Sequence, residues 1–435
     1  MFKKIISVWD ATVMVKVIIR LFVGLAVLIG ARISINNSIK YTESWAFDLT
    51  GEEEISAQLR GLWHLGGKYL RTRPVLAPNT IPIMADVSPF GINTFLEQEV
   101  ELQKRERQIQ IIAEGGFDWI RQEFPWADIE VHGKDDFDDR RSGSSVDAWE
   151  KYDHIVGLAE QYDLNIIARL SSAPEWARKK GDVPGTFAPP GSYSDFADYI
   201  STLVERYENE ITYYQIWNEP NIYPEWGEQS VSPEDYTEML CVAYRAVKNA
   251  NTDAIVLAAA LAPTVSLSSR DLNDFIYLER MYRAGASECF DIMSVQGYGL
   301  WSGPTDHRRR PGAINFARNE YIRDIMVAHN DADKSIWISE MNWNALPYGS
   351  DMPATYGQVS LEQQARWVPL GYERASREWP WIGVVNFWYF KRASDAEVNQ
   401  SWYYFRMSDP DFKLMPVYHS VKDYIDNSNN QGSFD

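Results

Sequence analysis

The chain has 435 residues, of which 45% are hydrophobic and 14% aromatic, and its formal net charge is −19. This length accommodates one (β/α)8 barrel, which needs about 250 residues or more, together with an N-terminal appendage. The acidic charge argues against nucleic acid or another polyanion as the main partner, because clustered Lys and Arg are needed to bind phosphate backbones. Only two cysteines are present, Cys241 and Cys289, which excludes a disulfide scaffold and a thiolate metal site but leaves their pairing open.

The first 35 residues are typical of an export signal. Four basic residues precede an 11-residue apolar run at 21–31, which Arg32 closes. The run is shorter than the ~20 residues that a spanning helix prefers, but further apolar residues flank it and no small-x-small cleavage site follows. We predict a signal anchor or signal peptide at 1–35, with the rest of the chain outside the cytoplasm, secreted or membrane-anchored. A buried helix is the alternative. Residues 36–80 are predicted to form a linker, a stalk or a segment that wraps the barrel.

Short β-type runs alternate with amphipathic helical stretches over residues 81–430, which predicts parallel βα units and a (β/α)8 TIM barrel. Helices are predicted at 96–113, 149–162, 193–207, 233–250 and 361–377. In such barrels the active site lies at the carboxyl ends of the strands. The eight predicted strands are 90–93, 117–121, 164–170, 211–217, 254–258, 290–295, 335–339 and 381–388.

Two of these strands run into a glutamate. The fourth apolar run ends on Asn218-Glu219-Pro220, and the seventh is followed by Glu340. Glycoside hydrolysis needs such a pair, because one carboxyl protonates the leaving oxygen while the other attacks the anomeric carbon or activates water. We therefore expect a carbohydrate substrate.

These residues resemble clan A glycoside hydrolases, the retaining enzymes typified by families 5 and 39, over roughly residues 84–425. The resemblance implies that Glu219 is the acid/base and Glu340 the nucleophile in a double displacement on a β-linked oligo- or polysaccharide. A retaining mechanism would place the two carboxyls about 5–5.5 Å apart.

The resemblance also assigns residues around the two glutamates. Arg121 and Tyr298 would hydrogen-bond Glu340, Asn218 would donate to the sugar 2-hydroxyl, and Trp388 would form the floor under the reacting sugar. Gln296 departs from the family pattern, since many members carry His two residues before that tyrosine, and Gln can orient a hydroxyl but cannot titrate. Stacking on sugars at neighbouring subsites is predicted for Trp126, Trp176 and Trp343.

The sequence lacks the motifs of phosphate, dinucleotide and metalloprotease chemistry. The sequence contains no Gly-rich phosphate loop, no Gly-x-Gly-x-x-Gly and no His-Glu-x-x-His, so neither a cofactor nor a metal is predicted. The basic run His307–Arg310 either recognises an acidic sugar or forms a solvated turn that pairs with this acidic protein. Two alternatives to hydrolysis stay open: a catalytically inactive glycan-binding barrel, and a transglycosylase that uses the same two carboxyls.

Overall fold

The computed structural model describes residues 44–69, 82–178, 182–183 and 187–432. Within these ranges no helix is both long and apolar enough to cross a membrane, and the signal predicted at 1–35 lies outside them. A short antiparallel hairpin, with two residues in each strand, pairs Asp138–Asp139 with Val146–Asp147. The main strands are β1 (Phe90–Thr94), β2 (Trp119–Pro125), β3 (Asn165–Ser171), β4 (Tyr213–Ile216), β5 (Ile255–Leu257), β6 (Met293–Tyr298), β7 (Ile336–Asn342) and β8 (Ile382–Phe387).

Helices precede, separate and follow the main strands. Short 3-10 turns occur at Leu96–Gln98, Ala286–Cys289, Phe316–Arg318 and Ser401–Phe405. The α-helices are α1 (Trp45–Thr50), α2 (Ile55–Tyr69), α3 (Leu102–Glu114), α4 (Trp126–Ile129), α5 (Glu150–Gln161), α6 (Tyr193–Arg206), α7 (Pro233–Ala250), α8 (Asp274–Arg283), α9 (Asn319–Ala328), α10 (Leu361–Glu378) and α11 (Pro416–Gly432).

The eight main strands form a parallel barrel. Their order is β5-β4-β3-β2-β1-β8-β7-β6, and a parallel bridge between Leu257 and Ile292 joins the two outer strands of this order. One end of the barrel is filled by Trp119, Leu257, Ile292 and Trp337, which belong to a buried apolar cluster. The predicted (β/α)8 fold is therefore confirmed.

The helices begin where a side chain can cap the first turn. Ser192 accepts from the backbone N–H of Asp195 at the start of α6, and Ser232 does the same for Asp235 at the start of α7, where Pro233 occupies the first turn. The buried residues of α6 recur at helical spacing, so one face packs inward. They are Phe196, Tyr199, Ile200, Leu203 and Val204.

Observed and predicted elements differ mainly at boundaries and in the helices that were not predicted. Strand β7 continues to Asn342, so Glu340 lies within the strand rather than after it. Helices α8, α9 and α11 were not among those predicted. Helix α11 lies near the end of the predicted barrel domain, beyond its last strand.

Residues 44–69 and 302–309 form one compact unit, while 82–301 and 310–432 belong to a second. In the first unit Arg308 is buried and its Nε donates to Asp306 Oδ1 at 2.7 Å. Its Nη2 donates to the Thr50 carbonyl at 3.2 Å and also pairs with Glu52. The prediction that the basic run pairs with acidic residues holds for Arg308. The predicted solvated turn does not, because Arg308 is buried and its guanidinium is bonded to Asp306, Thr50 and Glu52.

Candidate active site

The segment after β4 has a constrained backbone. Trp217 and Glu219 have φ angles of +72° and +41°, which are uncommon for residues with a Cβ and cost energy that surrounding contacts must offset. The buried side chain of Asn221 supplies three such contacts. Its Nδ2 donates to the carbonyls of Ala262 (2.9 Å) and Leu272 (3.0 Å), and its Oδ1 accepts from the Ala262 N–H at 2.8 Å. The turn that carries Glu219 is thus fixed to the segment after β5.

An extra residue in β7 sets the position of Glu340. In the pairing with β6, Val295 lies opposite Ile338 but the next residue, Gln296, lies opposite Glu340. The pairing of β7 with β8 also shifts within this stretch, between Ile338 and Met341. A bulge of this kind re-aims the side chains that follow it. It brings Glu340 level with Gln296 on the neighbouring strand.

Glu340 is buried and accepts from two strong donors. Arg121 Nη1 donates to Oε1 at 3.0 Å, and the hydroxyl of Tyr298 donates to Oε2 at 2.5 Å. Burial raises the pKa of Tyr298 well above its ordinary value, and the negative charges of Glu340 and Glu219 add to the effect. The phenol therefore remains a donor, and both contacts stabilise the ionised form of Glu340.

Three side-chain amides besides Glu340 accept hydrogen bonds from the guanidinium of Arg121. Its Nε donates to Gln215 Oε1 at 2.7 Å, Nη1 to Asn93 Oδ1 at 2.8 Å, and Nη2 to Asn218 Oδ1 at 3.0 Å. Burial lowers its pKa to about 10, while Glu340 opposes that effect, so the guanidinium is charged at neutral pH. The cation that faces Glu340 is fixed in orientation by strands β1, β2 and β4.

Glu219 has the opposite environment. Burial raises its pKa well above the ordinary value, and the charges of Glu340 and Glu225 raise it further. Gln296 Nε2 donates to Glu219 Oε1 at 2.7 Å, which partly opposes the shift. Gln296 therefore lies between the two glutamates, since it is paired with Glu340 in the sheet and bonded to Glu219 through its side chain. One carboxyl is held as an anion and the other favours its neutral form, which is the division that acid/base chemistry requires.

Three further carboxyls interact through their charges: Glu123 with both Glu225 and Glu97, and Glu225 also with Glu340. Burial raises the pKa of Glu225 and of Glu97 to about 7 each, and Gln122 Nε2 donates to Glu97 at 2.6 Å. Burial opposes ionisation of Glu123 as well, but the charge of Arg169 and hydrogen bonds from two serine hydroxyls lower its pKa. No role was predicted for Glu225 or Glu97, because neither follows a predicted strand directly.

The predicted aromatic residues divide into two groups. Trp388 is half-buried and packs, as Tyr298 does, against the apolar cluster of Phe95, Tyr389 and Phe405. Trp176 is also half-buried, and its indole N–H donates to the Glu130 carbonyl at 2.7 Å. Trp126 and Trp343 are 0% exposed.

The two fully buried tryptophans have no ring face open to a ligand. Trp126 stacks on Tyr199 at 5.5 Å, and Trp343 packs edge-to-face on Trp367 at 6.0 Å and against Phe316 at 5.8 Å. The prediction that Trp126 and Trp343 stack on sugars is corrected here, since protein atoms cover both indoles.

Sequence reasoning missed the residues that position the site. Asn93 Nδ2 donates to the carbonyls of Ser339 and Phe387, and Gln215 Nε2 donates to Ser339 Oγ at 2.8 Å. Both side chains also accept from Arg121, so they connect the arginine to the strand that carries Glu340. Buried amides on barrel strands were the available signal, but sequence does not say which strand residues face the interior. Among the described residues, no group of three or more His, Cys, Asp or Glu side chains could hold a metal ion.

Comparisons with known proteins agree with this architecture. No family model matches the chain. A β-glucosidase-like chloroplastic protein, SFR2, from Oryza sativa subsp. japonica is 24% identical over 118 residues, which are 27% of this chain and 17% of that protein. Among solved structures, a family 39 glycoside hydrolase from Bacteroides cellulosilyticus WH2 is 17% identical with a TM-score of 0.58, and the match covers 82% of this chain and 66% of that one.

Two further structures give the same result. A glucosidase from Croceicoccus marinus is 14% identical with a TM-score of 0.56, covering 79% of this chain and 68% of that one. Xylanase 10B from Thermotoga maritima is 15% identical with a TM-score of 0.51, covering 81% and 99%. The chain spans only part of its first relatives, and at these identities the likeness extends to the fold. The protein thus has the (β/α)8 barrel that these glycoside hydrolases share, as its resemblance to clan A implied.

Proposed function

We propose that the protein is a retaining glycoside hydrolase that cleaves β-linked oligo- or polysaccharides by double displacement. The observation that carries the proposal is the contrast between the two carboxyls: Arg121 and Tyr298 donate hydrogen bonds to Glu340, whereas burial and neighbouring negative charges raise the pKa of Glu219. The solved structures that share the fold include a glucosidase and a xylanase by name, which supports a glycoside as the substrate.

In the first step, Glu340 attacks the anomeric carbon and Glu219 gives its proton to the departing glycosidic oxygen. The bond between the sugar and the leaving group breaks as a glycosyl ester forms on Glu340. Glu219, now a carboxylate, takes a proton from water, and the oxygen of that water attacks the anomeric carbon. The ester breaks, Glu340 is again an anion, and the sugar leaves with its original configuration. Asn218, oriented by Arg121, supplies an amide donor for the 2-hydroxyl of the reacting sugar.

The test uses aryl β-glycosides of several sugars with three proteins: the unmodified chain, Glu340→Gly and Glu219→Gly. We expect turnover by the unmodified protein and loss of turnover in both variants. Azide should restore both with different products, since azide replaces the nucleophile in Glu340→Gly and gives the α-glycosyl azide. In Glu219→Gly azide replaces the water of the second step and gives the β-glycosyl azide.

Glu228→Gly is the matched control, because Glu228 lies on the same loop as Glu219 but is exposed and pairs with Arg270 at 2.7 Å. It should keep the activity of the unmodified protein. Absence of turnover on every glycoside, together with retention on glycan arrays, would replace the proposal with a glycan-binding barrel. Products longer than the substrate would replace hydrolysis with transglycosylation.

We also propose that the enzyme acts outside the cytoplasm, attached to the membrane or secreted. The basic and apolar pattern of residues 1–35 supports this location. The pairing of Cys241 with Cys289 is a second support, because disulfides persist mainly in oxidising compartments. The test is to measure how much of the protein is found in the membrane, soluble and extracellular fractions of the cells. Protein found in the cytosol with free thiols would refute the proposed location.

A further inference from the structure

Three large aromatic side chains are exposed on loops at the carboxyl ends of the barrel strands. Trp301 follows β6 and is 60% exposed, Tyr356 follows β7 and is 39% exposed, and Trp402 follows β8 and is 36% exposed. None of them was predicted as a sugar-binding residue from the sequence. Exposed apolar side chains that form a continuous patch mark binding surfaces, and flat rings are suited to the C–H faces of sugars.

A series of ring contacts connects these residues to the catalytic pair. Tyr298, which donates to Glu340, packs on Phe405 with ring centroids 5.5 Å apart. Phe405 packs on Tyr356 at 6.3 Å, and Tyr356 packs edge-to-face on Trp402 at 6.5 Å. The exposed rings are therefore continuous with the site and do not form a separate surface.

The turn that carries Trp402 is anchored by residues that follow the nucleophile. Asn342 Nδ2 donates to the Phe405 carbonyl at 2.6 Å, and Asn344 Nδ2 donates to the Ser401 carbonyl at 3.0 Å. Both asparagines are fully buried, so both ends of the 3-10 turn are fixed to the segment that begins at Glu340. The position of the Trp402 ring is set by the same strand that positions the nucleophile.

The loops that carry Tyr356 and Trp301 also touch. Gly357 has a φ of +78°, and a Cβ placed on it would lie 2.4 Å from the carbonyl oxygen of Leu300. Only a glycine permits this approach, and it brings the residue after Tyr356 against the residue before Trp301. Burial, and to a lesser extent the charge of Glu219, raises the pKa of Tyr356, so this ring is within electrostatic range of the acid/base.

We propose that Trp402, Tyr356 and Trp301 form an aromatic platform that binds sugar units on the leaving-group side of the scissile bond. The substrate is then a glycan chain that continues past the acid/base, and the enzyme cleaves such chains in preference to small glycosides. This inference rests on the proposed function, because the acid/base defines which side the leaving group occupies. Removal of a ring should weaken binding of the chain without changing the chemistry at the anomeric carbon.

The experiment compares Trp402→Ala and Tyr356→Ala with the unmodified protein on two substrates of the same sugar, an aryl glycoside and a β-linked oligosaccharide. We expect kcat/KM on the oligosaccharide to fall about tenfold for each variant, mainly through KM, which is the scale of one lost stacking contact. On the aryl glycoside kcat/KM should stay within about twofold, because the aryl group does not reach the platform. Trp402→Phe keeps a ring and should recover most of the loss.

Trp63→Ala is the control for loss of an exposed tryptophan, since Trp63 is 77% exposed in the first compact unit. Equal losses on both substrates, or no loss on the oligosaccharide, would overturn the platform. A binding measurement distinguishes failure of the platform from failure of the proposed function. All variants are run by native electrophoresis in gels that contain xylan, mixed-linkage β-glucan, mannan or galactan. Retardation that is lost in Trp402→Ala supports the platform even if aryl glycosides are not cleaved, and absence of retardation in every gel refutes it.

Discussion

At the scale of single residues, the site depends on how two identical side chains acquire different protonation states. Glu340 accepts from a guanidinium and a phenol, whereas within the described part of the chain the side-chain donor to Glu219 is the neutral amide of Gln296. A histidine at position 296 could carry a positive charge and would favour the anionic form of Glu219. Glutamine cannot, so the raised pKa of Glu219 is opposed only by a neutral hydrogen bond and by the more distant charge of Arg121.

The first prediction concerns Glu219→Gln. The acid form of Glu219 is the active form in the first step, so kcat/KM should fall as pH rises through its raised pKa. Glutamine cannot give up a proton, so the variant should lose this alkaline limb and about 10²–10⁴-fold of kcat/KM on substrates with poor leaving groups. Substrates with an acidic phenol as leaving group should lose much less. The measurement is a pH profile of kcat/KM on both kinds of substrate; an unchanged alkaline limb would assign the acid to another group.

The sequence was sufficient to single out Glu219 and Glu340, because a strand that ends on Asn-Glu-Pro and a second strand that runs into Glu are local patterns. Arg121 and Tyr298 were also accessible through the family resemblance, and the structure places both on Glu340. The sequence did not show which tryptophans are exposed enough to bind a sugar. Trp126 and Trp402 look alike in sequence, but packing of neighbouring helices buries the first and leaves the second exposed.

At the scale of elements, two departures from regular structure position the carboxyls. One is the extra residue in β7 before Glu340, and the other is the turn after β4 with its two positive φ angles. Neither is visible in the hydrophobic pattern, because a bulge changes the register by one residue without changing composition. The strands were therefore predictable as elements, whereas the direction of the side chains at their ends was not.

The second prediction tests the turn after β4. Asn221→Ala removes three hydrogen bonds that fix this turn and leaves buried backbone groups unpaired, which should lower the free energy of unfolding by about 2–3 kcal/mol. We expect kcat to fall as well, since Glu219 lies two residues before Asn221. Asn251→Ala is the control, because Asn251 follows α7 and its side chain makes only exposed hydrogen bonds, to the Glu208 carbonyl and from the Asp253 N–H. Urea denaturation and kcat measured on the folded protein test both effects; a stable variant with unchanged kcat would contradict the argument.

The third prediction concerns the 3-10 turn after β1. Burial raises the pKa of Glu97 from 4.5 to about 7, so the folded protein binds a proton that the unfolded chain releases between these values. The contribution of Glu97 to stability is therefore fully present below about pH 4.5 and is lost as the pH rises through about 7. Glu97→Gln stays neutral and can still accept from Gln122. The Tm of the variant relative to the unmodified protein should be higher at pH 8 than at pH 4.

A Tm difference between variant and unmodified protein that does not change with pH would mean that folding does not raise the pKa of Glu97. Glu101→Gln is the matched control, because Glu101 lies on the same connection but is exposed and pairs with Lys104. Its Tm difference should be small at both pH values.

At the scale of the whole molecule, the disulfide shows that composition alone does not decide which cysteines pair. The count of two cysteines excluded a disulfide scaffold but not a single bond, because pairing depends on whether two Cα atoms meet. The fold brings Cys241 on α7 and Cys289 on the 3-10 turn before β6 to a Cα–Cα distance of 4.7 Å. The bond links two elements of the barrel wall that are 48 residues apart in the chain.

The last prediction follows from that link. Closing a loop of 48 residues removes conformational freedom from the unfolded chain, so Cys241→Ala with Cys289→Ala should lower the free energy of unfolding by about 2–4 kcal/mol. The catalytic pair lies on other elements, and kcat on aryl glycosides should not change. Urea denaturation of three samples, the oxidised protein, the same protein after reduction, and the double variant, tests this. The reduced protein and the double variant should share a midpoint below that of the oxidised protein, because both lack the closed loop. Equal midpoints for all three would show that the bond adds no stability.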